Sequence, residues 1–100
     1  MAETGTSVPE LFDLSGKVAL VTGGTGFLGT AISQALAEAG ARVVISSRDR
    51  ERAKEAAGRL PGSADHTGVQ LDHMESGSIE DGFAELIEVA GQVDVLVNNG

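Results

Sequence analysis

Apolar positions along the chain follow two alternating rhythms, separated by polar or glycine-rich breaks. Lys17-Val18-Ala19-Leu20-Val21-Thr22 is a short apolar run closed by glycines, the pattern of a strand buried on both faces. Apolar residues then recur at Leu28, Ile32, Ala35, Leu36 and Ala39, spacings that share one face of a helix. Gly40 follows as the C′ residue that stops it. Arg42-Val43-Val44-Ile45-Ser46 predicts a second strand. Asp49 is placed to cap a second helix running through Glu51, Ala53, Ala56 and Ala57 towards Leu60, with Pro61 and Gly62 ending it. Thr67-Gly68-Val69-Gln70-Leu71 predicts a weaker third strand. Ser78 is placed to cap a third helix with Ile79, Phe83, Leu86, Ile87 and Ala90 on one face, and Gly91 at its end. Val93-Asp94-Val95-Leu96-Val97 predicts a fourth strand. The order βαβαβαβ predicts an α/β fold with a parallel sheet and right-handed crossovers.

One hundred residues make one domain at most, or part of one. Residues 1–16 are polar, contain Gly5 and Pro9, and are expected to form a flexible lead-in. Residues 17–100 are expected to be the first part of a domain, left incomplete. Val93–Val97 would present an open apolar edge, a pairing hazard. The 100 residues are therefore expected to be the front of a longer protein.

Composition sets further limits. Hydrophobic residues make up 41% and charged residues 22%, as in ordinary water-soluble domains. No apolar run approaches the roughly 18 residues of a membrane span. The first sixteen residues carry neither a basic cluster nor an apolar stretch of the signal-peptide kind, so a cytoplasmic location is expected. Cysteine is absent, which excludes disulfides and thiolate metal sites. The two histidines stand in no metal-ligand pattern, and no metal is expected. A net charge of −8 argues against a nucleic-acid partner. The basic residues are concentrated, with Arg42, Arg48, Arg50, Arg52 and Lys54 standing against only Asp49 and Glu51 in that stretch.

The chemistry lies in the break after the first strand, Thr22-Gly23-Gly24-Thr25-Gly26-Phe27-Leu28-Gly29. It contains Gly-x-Gly-x-x-Gly, the dinucleotide fingerprint, between a predicted strand and a predicted helix. Glycine permits the tight turn and close approach of a ligand to the backbone. The N–H groups opening the helix, with its dipole behind them, favour a diphosphate. A P-loop register fails, because Thr30 stands where lysine is required. The competing reading is a glycine-rich turn that binds nothing. In a Rossmann-type doubly wound sheet, an acid about 20 residues past the glycines reads the 2′-hydroxyl of NAD. Here Ser47 and Arg48 end the second strand, and Asp49 is read as a helix cap. A guanidinium matches a phosphate in charge and fork geometry. NADP(H) is therefore favoured over NAD(H), the alternative being that Arg48 is merely solvated.

The chain resembles the short-chain dehydrogenase/reductase family. The carrying residues are Leu14-x-Gly16-Lys17-Val18-Ala19-Leu20-Val21-Thr22-Gly23, the glycine turn, Ser47-Arg48, Asp72, and Asp94-Val95-Leu96-Val97-Asn98-Asn99-Gly100. The resemblance implies that Asp72 bonds the adenine amino group, and that the backbone of His73 lies beside the adenine ring. It implies that of Asn98 and Asn99 one helps hold the central sheet, and that the backbone there lies against the cofactor ribose. The expected cofactor-binding set is Gly23, Thr25, Gly26, Phe27, Leu28, Gly29, Ser47, Arg48, Asp72, His73, Asn98, Asn99 and Gly100. Phe27 stands where the single-domain branch usually has glycine, and is expected to close the adenosine side of the turn. That glycine spacing resembles the extended branch, whereas Ser47-Arg48 and the asparagine pair match the single-domain branch, which is favoured. Gly100 stands where the family has alanine.

The family's reaction needs a tyrosine, a lysine four residues later and a serine. The chain holds no tyrosine, and its lysines are Lys17 and Lys54. No catalytic residue is assigned within 1–100, and the segment alone is expected to be inactive. The resemblance implies an oxidoreductase moving hydride between NADP(H) and a small carbonyl or alcohol substrate, with 3-oxoacyl reduction the commonest case. It implies a homodimer or homotetramer at full length. Two alternatives stand: an extended-branch epimerase or dehydratase acting on a nucleotide sugar, and a non-catalytic dinucleotide sensor.

Overall fold

The computed structural model describes residues 13–23, 25–62, 64–72 and 76–99, with 76, 78, 79 and 89 described by backbone alone. The elements are β1 (Val18–Thr22), α1 (Phe27–Glu38), β2 (Arg42–Ser47), α2 (Arg50–Gly58), β3 (Thr67–Gln70), α3 (Ser76–Ala90) and β4 (Val95–Asn98). They form one parallel sheet in the order β3-β2-β1-β4. Val18 pairs with Arg42, Ala19 with Val95 and Val44 with Thr67.

Both faces of the central strands are covered, as their continuous apolar runs require. On one face Ala19, Val21, Val43 and Ile45 pack with Ala37 of α1 and Ala53 of α2. On the other, Val18, Leu20, Val44 and Val69 pack with Leu86 of α3. Each fully buried Val, Leu or Ile contributes about 1.5–3 kcal/mol through removal from water. The sheet is therefore doubly wound, with β1 and β2 at its centre.

Local chemistry explains most boundaries. Asp49 caps α2, accepting from the backbone N–H of Glu51 (3.0 Å) and Arg52 (3.3 Å). α1 ends in a Schellman turn, with Gly40 at φ 101°, its N–H bonded to Ala37 O and that of Ala41 to Leu36 O. The β2–β3 ladder ends at the Val44–Thr67 pair, and beyond it His66 takes over. Its Nδ1 accepts from the Val43 N–H (3.0 Å), so Nε2 donates to Pro61 O (2.8 Å).

Three expectations need correction. The buried stripe of α1 is Gly29, Ser33 and Ala37, whereas Leu28 and Ala35 are exposed. Small side chains let the helix lie close on the sheet, so size rather than hydrophobicity chose the inner face. α3 begins at Ser76, which leaves Ser78 inside the helix rather than at its cap. On that helix Gly82 and Leu86 are buried, while Phe83 and Ile87 are exposed, and the side chain of Ile79 lies outside the described residues. A Cβ on Gly82 would come within 2.9 Å of Gln70 O, so glycine sets the approach of α3 to the end of β3. β4 starts at Val95 rather than Val93.

The expected lead-in falls mostly on residues 1–12, outside the described residues. Its last four residues are tied down. The Leu14 N–H donates to Ala39 O (2.7 Å), and Leu14 packs on the α1–α2 side of the core.

Candidate cofactor site

The strand order reverses at β1, from which β2 and β3 extend to one side and β4 to the other. Ligands in such sheets bind outside the carboxyl ends of the strands at this reversal. Here those ends enclose a cleft of about 970 Å³. Thr22, Gly23 and Thr25 line it from β1 and the glycine turn, and Ser46, Ser47, Arg48, Asp49 and Arg52 from β2 and the start of α2. Leu71 and Asp72 follow β3, Asn98 ends β4, and Phe83 and Leu96 add apolar lining.

The glycine turn is shaped by two different demands. Gly23 sits at φ 66°, which a side chain would strain, and its N–H donates to Ser46 O (3.1 Å). Gly26 is the N-cap of α1 at φ −77° and ψ 175°, a conformation open to any residue. Among the described residues, a Cβ there would meet only Gly23 O, at 3.9 Å. Nothing among the described residues requires glycine at position 26. α1 has no side-chain cap and no acidic residue in its first turn. Its backbone N–H groups suit a diphosphate, so the residues present fit a dinucleotide. Phe27 is 96% exposed and, like Leu28, does not line the cleft. Gly29 lies on the buried face of α1. Gly24 of the turn, with His73 and Gly100, falls outside the described residues.

The carboxyl ends of β1 and β4 are locked together. Thr22 Oγ1 accepts from the Asn99 N–H (3.0 Å) and places its own proton between Asn98 Oδ1 (3.1 Å) and Val97 O (3.3 Å). Asn99 Nδ2 donates to Gly23 O (3.3 Å). Asn99 thus pins the glycine turn, while Asn98 faces the cleft. Sequence reasoning gave Thr22 no role, although a hydroxyl on the last residue before the turn was the available signal.

At the end of β2, Ser47 Oγ accepts from the Asp49 N–H (3.1 Å), and Gln70 Nε2 donates to Arg48 O (3.0 Å). These bonds hold the backbone on which the exposed Arg48 side chain stands. Among the described residues no carboxylate pairs with the Arg48 guanidinium. Asp72 is half-buried across the cleft. Arg50 forms a two-pronged pair with Glu85 of α3 (2.8 and 3.1 Å), and this hydrogen-bonded carboxylate raises the guanidinium pKa further. Arg52, Asp49 and Leu71 were not foreseen as cleft residues.

A model of the short chain dehydrogenase family matches residues 17–100. The chain belongs to the short-chain dehydrogenase family. Among curated relatives of this short-chain dehydrogenase, a rhamnolipid-biosynthesis 3-oxoacyl-[acyl-carrier-protein] reductase of Pseudomonas aeruginosa is 40% identical over 88% of the chain and 34% of its own length. A 3-oxoacyl-[acyl-carrier-protein] reductase of Aquifex aeolicus is 40% identical over 86% of the chain and 36% of its own length. Among solved structures, a gluconate 5-dehydrogenase of Burkholderia cenocepacia in complex with NADP and tartrate superposes with a TM-score of 0.80 at 30% identity, over 94% of this chain and 37% of that one. A 3-ketoacyl-(acyl-carrier-protein) reductase of Brucella melitensis complexed with NADH gives 0.75 at 33% identity, over 84% and 34%. The chain spans about a third of the length of the relatives it matches.

Proposed function

We propose that this short-chain dehydrogenase chain is the cofactor-binding part of an oxidoreductase that prefers NADP(H) and acts on a small carbonyl or alcohol substrate, of which a 3-oxoacyl compound is the leading case. When bound, the nicotinamide supplies or accepts the hydride. The chain's own residues bind and orient. The start of α1 holds the diphosphate through backbone N–H groups, Asp72 takes the adenine amino group, and Asn98 lies along the ribose. Asn99 keeps the turn in place. The assembly expected for the native-length protein is a homodimer or homotetramer.

One observation carries the NADP(H) preference. Arg48 lines the cleft with no carboxylate partner among the described residues, while Asp49 is committed to capping α2. The names of the relatives support the substrate class, since two are 3-oxoacyl reductases. A charge-assisted guanidinium–phosphate contact is worth about 1.5–3 kcal/mol, or one to two powers of ten in affinity. Titrating the native-length protein and Arg48→Asp with NADPH and NADH tests the assignment. The substitution is expected to lower the NADPH:NADH affinity ratio at least ten-fold (about 1.4 kcal/mol). An unchanged ratio would refute it.

A further inference from the structure

Two arginines, Arg50 and Arg52, occupy the first turn of the nine-residue helix α2. Cations are disfavoured there, because the helix dipole presents its positive end. Arg50 is compensated by its two short bonds to Glu85. Arg52 is not. Its sole ion pair among the described residues is Nε to Asp49 Oδ2 at 3.9 Å, with both side chains more than half exposed. Such a pair is worth little. Asp49 is also occupied at its other oxygen, which accepts the two N–H groups that cap α2. Yet Arg52 lines the same cleft as Arg48 and Ser47. A weakly compensated cation, held at the positive end of a helix and facing a cleft, is placed for an anionic ligand.

We propose that Arg52 is a second determinant of the 2′-phosphate, meeting it from the α2 side while Arg48 meets it from the end of β2. This inference rests on the NADP(H) reading. Without phosphate, Arg52 leans on Asp49. With phosphate, it exchanges a long, solvated pair for a doubly charged partner. Asp49 is then a brake, since its carboxylate competes for Arg52 and repels the phosphate.

The test uses the native-length protein, titrated with NADPH and NADH at low and high salt, with urea unfolding as a control for folding. Arg52→Met keeps the apolar stem and removes the charge. It is expected to lower the NADPH:NADH affinity ratio about three- to ten-fold, less so at high salt. Asp49→Asn keeps an oxygen to cap α2 and removes the brake, so NADPH affinity is expected to rise. If Arg48→Asp lowers the ratio while Arg52→Met leaves it unchanged, the role of Arg52 is overturned and the NADP(H) reading stands. If the parent shows no preference for NADPH, the NADP(H) reading itself fails, and the role of Arg52 with it. If Asp49→Asn weakens NADPH binding in a protein that unfolds normally, the brake is overturned.

Discussion

Gly26→Ala separates the demands of folding from those of binding. The backbone at position 26 suits alanine, and among the described residues the added methyl meets nothing nearer than Gly23 O at 3.9 Å. Alanine is a somewhat poorer N-cap than glycine, by a few tenths of a kcal/mol or more. Against this, loss of glycine's freedom in the unfolded chain stabilises by about 0.4–1 kcal/mol. The two effects nearly cancel, and unfolding stability is expected to change by less than about 0.5 kcal/mol. Binding is different. On the proposed reading, a diphosphate lies against the first N–H groups of α1, and the methyl would stand in its way. Charge-assisted bonds of this kind are worth about 1.5–3 kcal/mol each. Displacing the ligand from even one of them weakens binding ten-fold or more. Urea unfolding without dinucleotide measures the first quantity, and a fluorescence titration with NADPH the second. Unchanged NADPH affinity in a normally folded variant would refute the reasoning, because the glycine would then serve neither fold nor ligand.

Three further substitutions probe the scaffold. In Gly68→Ala the new methyl would run into the α2 backbone at Ala53 and Lys54, which cannot rotate away, so a loss at or above the upper end of about 1–3 kcal/mol is expected in urea unfolding, together with weaker NADPH binding as the start of α2 shifts. A neutral effect would mean that α2 is not seated as described. His66→Ala strips the acceptor from the Val43 N–H, on a fully buried residue, and is expected to cost about 1–3 kcal/mol; a loss below about 0.5 kcal/mol would show that water replaces the imidazole. Asp94 accepts from the Val18 N–H (2.8 Å), and this bond foremost, then Gln92 and Lys17, holds its carboxyl below the usual range. A lowered folded-state pKa stabilises above the unfolded value of about 4 and is lost as pH falls through the folded one. The stability gap between parent and Asp94→Asn is therefore expected at neutral pH and should close below about pH 4, and a gap independent of pH would refute the assignment.

The alternation of elements was legible because each carries a local signature. β1 and β2 are continuous apolar runs, Asp49 caps α2, and Gly40 stops α1. Which face of a helix turns inward was less legible. On α1, the presence of Leu28 and Ala35 in the apolar pattern outvoted Gly29 and Ser33, although close approach to a sheet rewards small residues. On α3 the start was misread, since Ser78 is a good cap by type but lies inside the helix. At the site, residues named by motif spacing (Gly23, Thr25, Ser47, Arg48, Asp72 and Asn98) meet in one cleft. Arg52 stands out in the basic stretch but is given no site role, because its setting also matches an ordinary solvated helix start. Only the fold forms the cleft that Arg52 and Arg48 both line. His66 escaped notice for a similar reason, since nothing in a lone histidine announces that it will stand in for a strand.

The lock between the ends of β1 and β4 joins groups 75 to 77 residues apart. Of the four strands, β4 is thus the one whose docking completes both the sheet and the wall of the cleft. Bringing its end to β1 closes a long loop, with an entropy cost that local contacts cannot offset in advance. Opening of this one strand would release Asn98 and Asn99, and with them the support of the glycine turn. A dinucleotide that binds only the closed form adds RT ln(1 + [L]/Kd) to the free energy of that opening. Hydrogen exchange at Val95 to Asn99 should therefore slow as NADPH is added. The backbone amides of β4 would then report occupancy of a cleft whose lining comes mostly from β1, β2 and the start of α2.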